Sequence, residues 1–517
     1  MMATILNNSI GRLWPTLMIE QLLPLALKPG FFNNGTKYQA KDRWFRGSLV
    51  RFFEGAIRPI GGWTALTIGG ASIAGRPVAA VAYQQLGGDY YTVVGTTSNL
   101  YAINYNAGTN VYTAYDITPT EMTTAFDSQT WTLAVFGNYV LANFRGEGGP
   151  EVATAGAGGE DFCVWDGDPT HIAVGHLAST DRPELTLATF MTPEKFAVVL
   201  GAIDQHYVLT GHAPDPRLVW WASQATTDTW VPSSLNSAGS FSLATPGTLM
   251  AGAAFRGQSL IWTTRDLWSM QYIGQPLVYG FQQLGLECGL YSSRAHVVTS
   301  NAAFWMGNGR FYKFDGFVTP LQCDVADYVF GHINRDMNYK TWALHNPQFN
   351  EVTWFYVSTA AVGTYPEIDS YVTYNYTENH WVFGSLARTC GIPAMPPGLV
   401  PIMTDAAGVF YQHETGTNKG GASTFAESGP IELASGDQVM KVQRIVPDDK
   451  TQGDVQLTLY AALFPDAAET SIGPVAAASP TNVRLMGRQV RLALNEVNAV
   501  DWRVGTVRLG VIPSGRR

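Results

Sequence analysis

Ala302–Gly316, AAFWMGNGRFYKFDG, decides how the rest of the chain is read. It divides into an apolar run, a tight Gly307-Asn308-Gly309 turn, an alternating aromatic run and an Asp315-Gly316 exit. Asn-Gly between two strand-like runs is the strongest short-range hairpin signal. The aromatic/polar spacing of Phe311-Tyr312-Lys313-Phe314 suits a half-buried sheet.

The same pattern recurs from Val78 to about His413. One set of strand cores is YTVVGT (91–96), YVLANF (139–144), YVLTGH (207–212), SLIWTT (259–264), AAFWMG (302–307) and VTWFYV (352–357), with VPIMTD (400–405) as a candidate seventh. After a turn most are followed by an aromatic strand: NLYAIN (99–104), LVWWAS (218–223), DLWSMQ (266–271), RFYKFD (310–315), YVTYNY (371–376) and GVFYQH (408–413). FCVWDG (162–167) fits the second copy. Preceding apolar strands are PVAAVAY (77–83), WTLAVF (131–136), KFAVVL (195–200) and LMAGAAF (249–255). A small twisted sheet cannot cover its own two faces, but stacking such sheets radially buries them against one another. The repeat length is that of a propeller blade. The expected fold is all-β: a β-propeller of six to seven blades over 77–415, with an antiparallel β-sandwich or platform formed by the terminal segments, 1–76 and 424–517. A series of separate β-sandwiches is the competing arrangement.

The flanks differ from the repeat. Residues 1–76 open as a Pro-punctuated arm through Pro24 and Pro29, then read as short strands ending at Gly61-Gly62, with Trp63 expected to pack over that corner. GTNKGGAS (416–423) is a polar, Gly-rich linker. Beyond it, segments such as Asp454–Tyr460 and Gln489–Leu494 alternate apolar and polar, as sandwich strands do. Arg484, Arg488, Arg491, Arg503 and Arg508 make this end locally basic, which fits either solvated strand faces or docking to an acidic neighbour. Deleting 424–517 is therefore expected to leave soluble protein that no longer assembles.

The 517 residues exceed what one core usually accommodates. Charged residues are only 14%, well below the usual share, while aromatics reach 12% and glycines number 53, as expected of tight-turned β-structure with covered surfaces. The net charge of −9 argues against tight binding of nucleic-acid phosphates. Cys163, Cys288, Cys323 and Cys390 form no C-x-x-C and read as isolated buried thiols in a reducing compartment. The N-terminal 30 residues lack a basic start, and Pro15, Glu20, Gln21 and Pro24 interrupt their apolar run. They suit neither a signal peptide nor a span, so a soluble protein made in the cytosol is expected. Asn34-Gly35-Thr36 is discarded as a glycosylation site on the same ground.

No catalytic motif stands out. There is no G-x-S-x-G, H-E-x-x-H or Walker sequence. Gly156-Ala-Gly158-Gly159 lacks the following Lys-Ser/Thr of a phosphate loop. His206 and His212 share a strand face but lie about 20 Å apart. His171 and His176 lack a third ligand. Asp324 and Asp327 form a conceivable carboxylate pair for sugar chemistry, against a plain turn or helix start. The expectation is no enzyme, no cofactor and no metal, with no catalytic, cofactor-binding or metal residue assigned. Propellers do host glycosidases and lectins at their axial mouth, so a glycan-adhesion module or a carbohydrate-active enzyme remains the alternative.

The chain ends resemble a known family. The carrying residues are Lys28-Pro29-Gly30, Gly35-Thr36, Arg43-Trp44, Leu49-Val50-Arg51-Phe52, Gly55 and Arg58-Pro-Ile-Gly-Gly-Trp63. At the other end they are Ser428-Gly429-Pro430, Val446-Pro447-Asp448, Gly487-Arg488-Gln489-Val490-Arg491, Asp501-Trp502-Arg503-Val504-Gly505 and Pro513-Ser-Gly-Arg-Arg517. Together they resemble tail hub or nozzle proteins of short-tailed bacteriophages, also called tail tube protein B or packaged-DNA stabilisation proteins. The resemblance implies a virion tail protein made in the host bacterial cytoplasm. It implies a ring, usually a homohexamer, below the portal and adaptor, with tail fibres or spikes outside. It also implies a central channel that retains genomic DNA and passes it without tight binding, and no membrane in the free protein. Gate residues are not assigned.

Overall fold

The computed structural model describes residues 20–120, 122, 127–146, 162–175, 182–183, 186–201, 215–395, 399–433 and 436–515. YVLTGH, His176, His206, His212 and the Gly156–Gly159 stretch lie outside them.

The founding hairpin forms as read. Ala303–Met306 pairs antiparallel with Phe311–Phe314, with Met306 opposite Phe311. Gly309 takes a φ of +85°, the left-handed region that glycine enters without penalty. Phe311 and Phe314 are buried while Tyr312 and Lys313 are half-buried, and Trp305 stacks across the ladder on Tyr312 at 5.5 Å.

Seven such sheets follow one another. Their first strands are Pro77–Gln84, Gln129–Phe136, Ala188–Met191, Leu249–Phe255, His296–Val298, Trp342–Asn346 and Cys390–Met395. Each lies beside the first strand of the sheet before and after it, and the seventh returns to the first. That closed cycle is a propeller of seven blades. VPIMTD therefore belongs to a true seventh blade, as strand Val400–Thr404.

The third blade needs a correction. Its first strand is Ala188–Met191, and KFAVVL supplies the second strand, Ala197–Leu200, rather than the first. Both runs are apolar and buried, so neither carries the alternation that would rank them. The fourth strands were missed because several are short, exposed edges, as in Gly239–Ser242 and Val318–Pro320.

Blade seven takes its fourth strand from near the start of the chain. Trp63–Ala65 pairs antiparallel with Phe410–His413 and closes the ring, and Ile68–Gly70 pairs parallel with the edge of blade one. Trp63 thus sits in a strand, its ring tilted against His413 at 5.2 Å and beneath the Arg388 guanidinium, not over a corner.

Tryptophans stitch neighbouring blades. Trp131 of blade two donates Nε1–H to the Thr96 carbonyl of blade one at 2.8 Å, and Trp354 of blade six donates to Ala295 at 3.0 Å. A side chain at Gly95 would meet the Trp131 ring at 2.3 Å, so the close approach of blades one and two requires glycine there. Large aromatic area plus a satisfied N–H explains why this fold spends tryptophan at its joints.

The terminal segments interleave in one sandwich. One sheet runs Lys28–Phe31, Arg43–Ser48, Phe425–Ser428, Gln489–Glu496, Val455–Ala462, Thr470–Ala476; the other runs Gln21–Leu25, Val507–Gly515, Val439–Val446, Thr481–Gly487. Lys28–Phe31 and Arg43–Ser48 lie against His380–Ser385 of blade six, and Phe31 meets Phe383 edge-on at 5.3 Å. A continuous apolar core runs from blades four to six into the sandwich.

Candidate functional site: the propeller axis and its charged mouth

Short residues on the first strands leave space along the axis. Ala79, Ala188, Gly252, Ala343 and Gly391 face a cavity of about 210 Å³ that opens to solvent. Trp131 and Trp342 form stiffer parts of its wall, the latter held by an Nε1 bond to the Arg388 carbonyl at 2.9 Å. Thr132 accepts from the Thr189 N–H at 2.9 Å across the seam between blades two and three. Ser293 lines the cavity, is 2% exposed, and its hydroxyl has no hydrogen-bond partner among the described residues. His296 stacks on Trp262 at 4.7 Å, and burial pushes its imidazole down to about 4, so it is neutral at physiological pH. Cys390 also lines the wall, its thiol pushed up to about 11 by burial, which makes it a poor nucleophile.

Residues just before the first strands of blades one, two and six gather at one mouth, joined by Glu367 from just before Ser370–Asn375, the third strand of blade six. Lys340, fully buried, places Nζ 3.0 Å from Asp127 and 2.8 Å from Glu367. Arg76 reaches the same two carboxylates at 3.5 and 3.4 Å and donates to the Asp127 carbonyl at 2.6 Å. The Tyr339 hydroxyl donates to Asp127 at 2.9 Å; burial and then that bond hold its pKa above the usual tyrosine range. The cluster clamps blades one, two and six together. Within the cluster, Glu367 Oε2 has no hydrogen-bond partner among the described residues.

Sequence reasoning missed this cluster because its members are far apart in the chain and belong to no motif. Lys340→Met is expected to lower stability by about 1–3 kcal/mol, since it strips charged bonds from two half-buried carboxylates. Urea denaturation measures this, and an unchanged midpoint would mean that the clamp holds nothing.

Asp324 and Asp327 do not converge on a cavity. They flank the start of the helix Ala326–His332. Asp324 is paired with Arg43 at 2.6 Å, and Asn34 accepts from the Asp327 N–H at 3.0 Å while donating to the Cys323 carbonyl at 2.8 Å. These residues join the sandwich to the propeller, and the sequon asparagine is used on both sides. His171 bonds Asp166 at 2.7 Å in an exposed turn. Among the described residues no group of three His, Cys, Asp or Glu is arranged to hold a metal ion. None of the cysteines is in a disulfide; Cys163, Cys288 and Cys390 are buried and Cys323 is half-buried. No described helix is long and apolar enough to cross a membrane.

No family model and no curated protein matches the chain. Among solved structures it is similar to an exo-β-1,3-galactanase of Phanerochaete chrysosporium bound to galactose, at 8% identity, TM-score 0.30, over 87% of this chain and 100% of that one. It is also similar to PorZ, a surface component of the type-IX secretion system of Porphyromonas gingivalis, at 10% identity, TM-score 0.37, over 80% of this chain and 46% of that one. The expectation of no enzyme is corrected here: one of these matched structures is a glycoside hydrolase, so absence of catalysis is not carried forward. Neither likeness assigns a role to any residue.

Proposed function

We propose that this chain is a structural subunit of the tail of a short-tailed bacteriophage, joining other copies in a ring around the DNA exit path with fibres or spikes outside. The observation that carries this reading is the meeting of the family-like segments from the two chain ends. Gly429 donates its N–H to the Arg43 carbonyl at 2.8 Å, and Asp42 donates to the Pro430 carbonyl at 3.1 Å. Ile57 and Val504 exchange backbone bonds at 2.9 Å. Residues about 400 positions apart thus form one joint, as an assembly platform built from both chain ends would require. The axial cavity of the propeller is far too small for a duplex, so DNA would pass between copies. Electron microscopy of the purified protein tests the reading: a closed ring with an axial hole is expected, and a monomer at every concentration would remove it.

A second reading, host-glycan recognition by the propeller, is favoured by the solvent-open axial cavity with the unbonded Ser293 hydroxyl inside. A screen of bacterial surface polysaccharides, scored for both binding and released product, tests it. No retention and no turnover by the intact protein would exclude it.

A further inference from the structure

Charge is segregated along this chain in a way the net value of −9 hides. Residues 77–415 hold 12 Lys and Arg against 28 Asp and Glu, a balance of −16, whereas the terminal segments hold 20 against 13, a balance of +7. The repeat region is strongly acidic and the terminal segments are basic.

The basic charge has a defined surface. Gln21–Leu25, Val507–Gly515, Val439–Val446 and Thr481–Gly487 turn Leu509, Val511, Val442 and Leu485 into the core. Alternation then sends the intervening residues outward. The outer face carries Arg484 and Arg508, both exposed, with Lys441 and Arg444 half-buried between them. Met486 lies opposite Lys441 in the ladder and is 50% exposed, and Leu22 on the edge strand is 48% exposed. Glu20, paired with Arg444 at 3.2 Å, is the carboxylate found on this face among the described residues. By contrast Arg491 points to the other side of the sandwich, held by Glu469 and Glu427 over the Tyr460 ring.

We infer that this outer sheet face docks onto the acidic propeller of a second copy of the chain. This rests on the assembly reading above and names its interface. Apolar side chains set among the cations suit a protein surface, where they are dehydrated, better than a phosphate backbone. The propeller supplies the opposite charge, and part of it cannot come from the same copy. Exposed Asp89, Asp166 and Asp168 lie on blades one and two, whereas the sandwich packs on blade six. Blade two is three places away around the ring of seven, nearly opposite the sandwich. A patch on one side meeting a complementary patch on the other side of the next copy is a heterologous contact, the kind that generates rings.

Sedimentation of the full chain with Arg484 and Arg508 both changed to Glu tests this. Assembly is expected to weaken at least about tenfold and to lose its salt dependence, while the melting curve stays unchanged because both side chains are exposed. Zero-length carboxylate–amine cross-linking of the wild type should join Lys441 to propeller carboxylates of another copy. Wild-type affinity in the double variant would overturn the interface while leaving ring assembly itself standing. A wild type that never assembles would remove both. Retained assembly, with loss in the variant of binding to a short DNA duplex, would overturn it in favour of nucleic acid.

Discussion

Replacing Arg51 with methionine is expected to destabilise the protein by about 3–5 kcal/mol near neutral pH, the cost of leaving buried carboxylates without their cation. Arg51 lies on Val50–Phe53 and is 4% exposed. Its guanidinium binds Glu351 of blade six at 3.0 and 3.2 Å and Glu414, just after the third strand of blade seven, at 2.5 and 2.9 Å. It also covers the Phe349 ring at 3.6 Å. One cation thus fastens the N-terminal hairpin to two blades.

The pH dependence has a definite sign. Burial raises the pKa of Glu351 despite Arg51. Burial also opposes ionisation of Glu414, but the charge and bonds of Arg51 outweigh it and hold that carboxyl below its usual range. Glu414 therefore contributes stability that is present above the unfolded carboxylate pKa and is lost as pH falls through its depressed folded value. Without Arg51 both carboxyls are raised, so the variant loses stability as pH rises above about 4.5. The gap between wild type and variant should widen from pH 4 to pH 7. Glu351→Gln removes one of two carboxylates competing for one cation and should cost under about 1 kcal/mol. Urea denaturation across that range decides it: an Arg51 variant within 1 kcal/mol of wild type at pH 7 would show that the triad is not a fastening.

Deleting 424–517 is expected to give insoluble or unfolded protein, contrary to what the linker at 416–423 suggests. The retained strand Arg43–Ser48 pairs with Phe425–Ser428, and Gln21–Leu25 pairs with Val507–Gly515. Removing those partners bares two sheet edges. It also uncovers Phe31, Trp44 and Phe52, which are all within 5% exposure in the intact chain and share one core with Leu457, Leu492 and Leu509. Exposed edges and a contiguous apolar face of this kind drive aggregation. The linker itself is anchored, with the Lys419 ammonium buried against Glu496 at 2.9 Å. A truncated chain that is soluble and melts cooperatively would contradict the shared sandwich.

Much of the propeller was legible because its signals are local. Two-residue periodicity, Gly-Asn turns and a recurring aromatic third strand repeat inside short windows, and they located most second and third strands. What escaped was non-local or weakly patterned. In the third blade KFAVVL was read as the first strand instead of the second because two buried apolar runs look alike, and the short polar edge strands carry no apolar stripe. The Asp324 and Asp327 pair looked chemical only because Arg43, 281 positions earlier, was invisible as a partner. The axial clamp of Arg76, Asp127, Lys340 and Glu367 has no spacing at all, since a ring brings together the starts of three blades and, in Glu367, a loop within one of them.

From its sequence alone this protein was determined to be a repeated β-structure with few charges, many aromatic joints and a basic C-terminal end, because side-chain alternation and turn chemistry act over a handful of residues. Only the tertiary structure decided that there are seven blades, that the last is closed by a strand from near the beginning, and that both termini build one sandwich. Closing a ring and pairing distant strands depend on which unsatisfied edges and apolar faces meet in space, and no local pattern encodes that meeting.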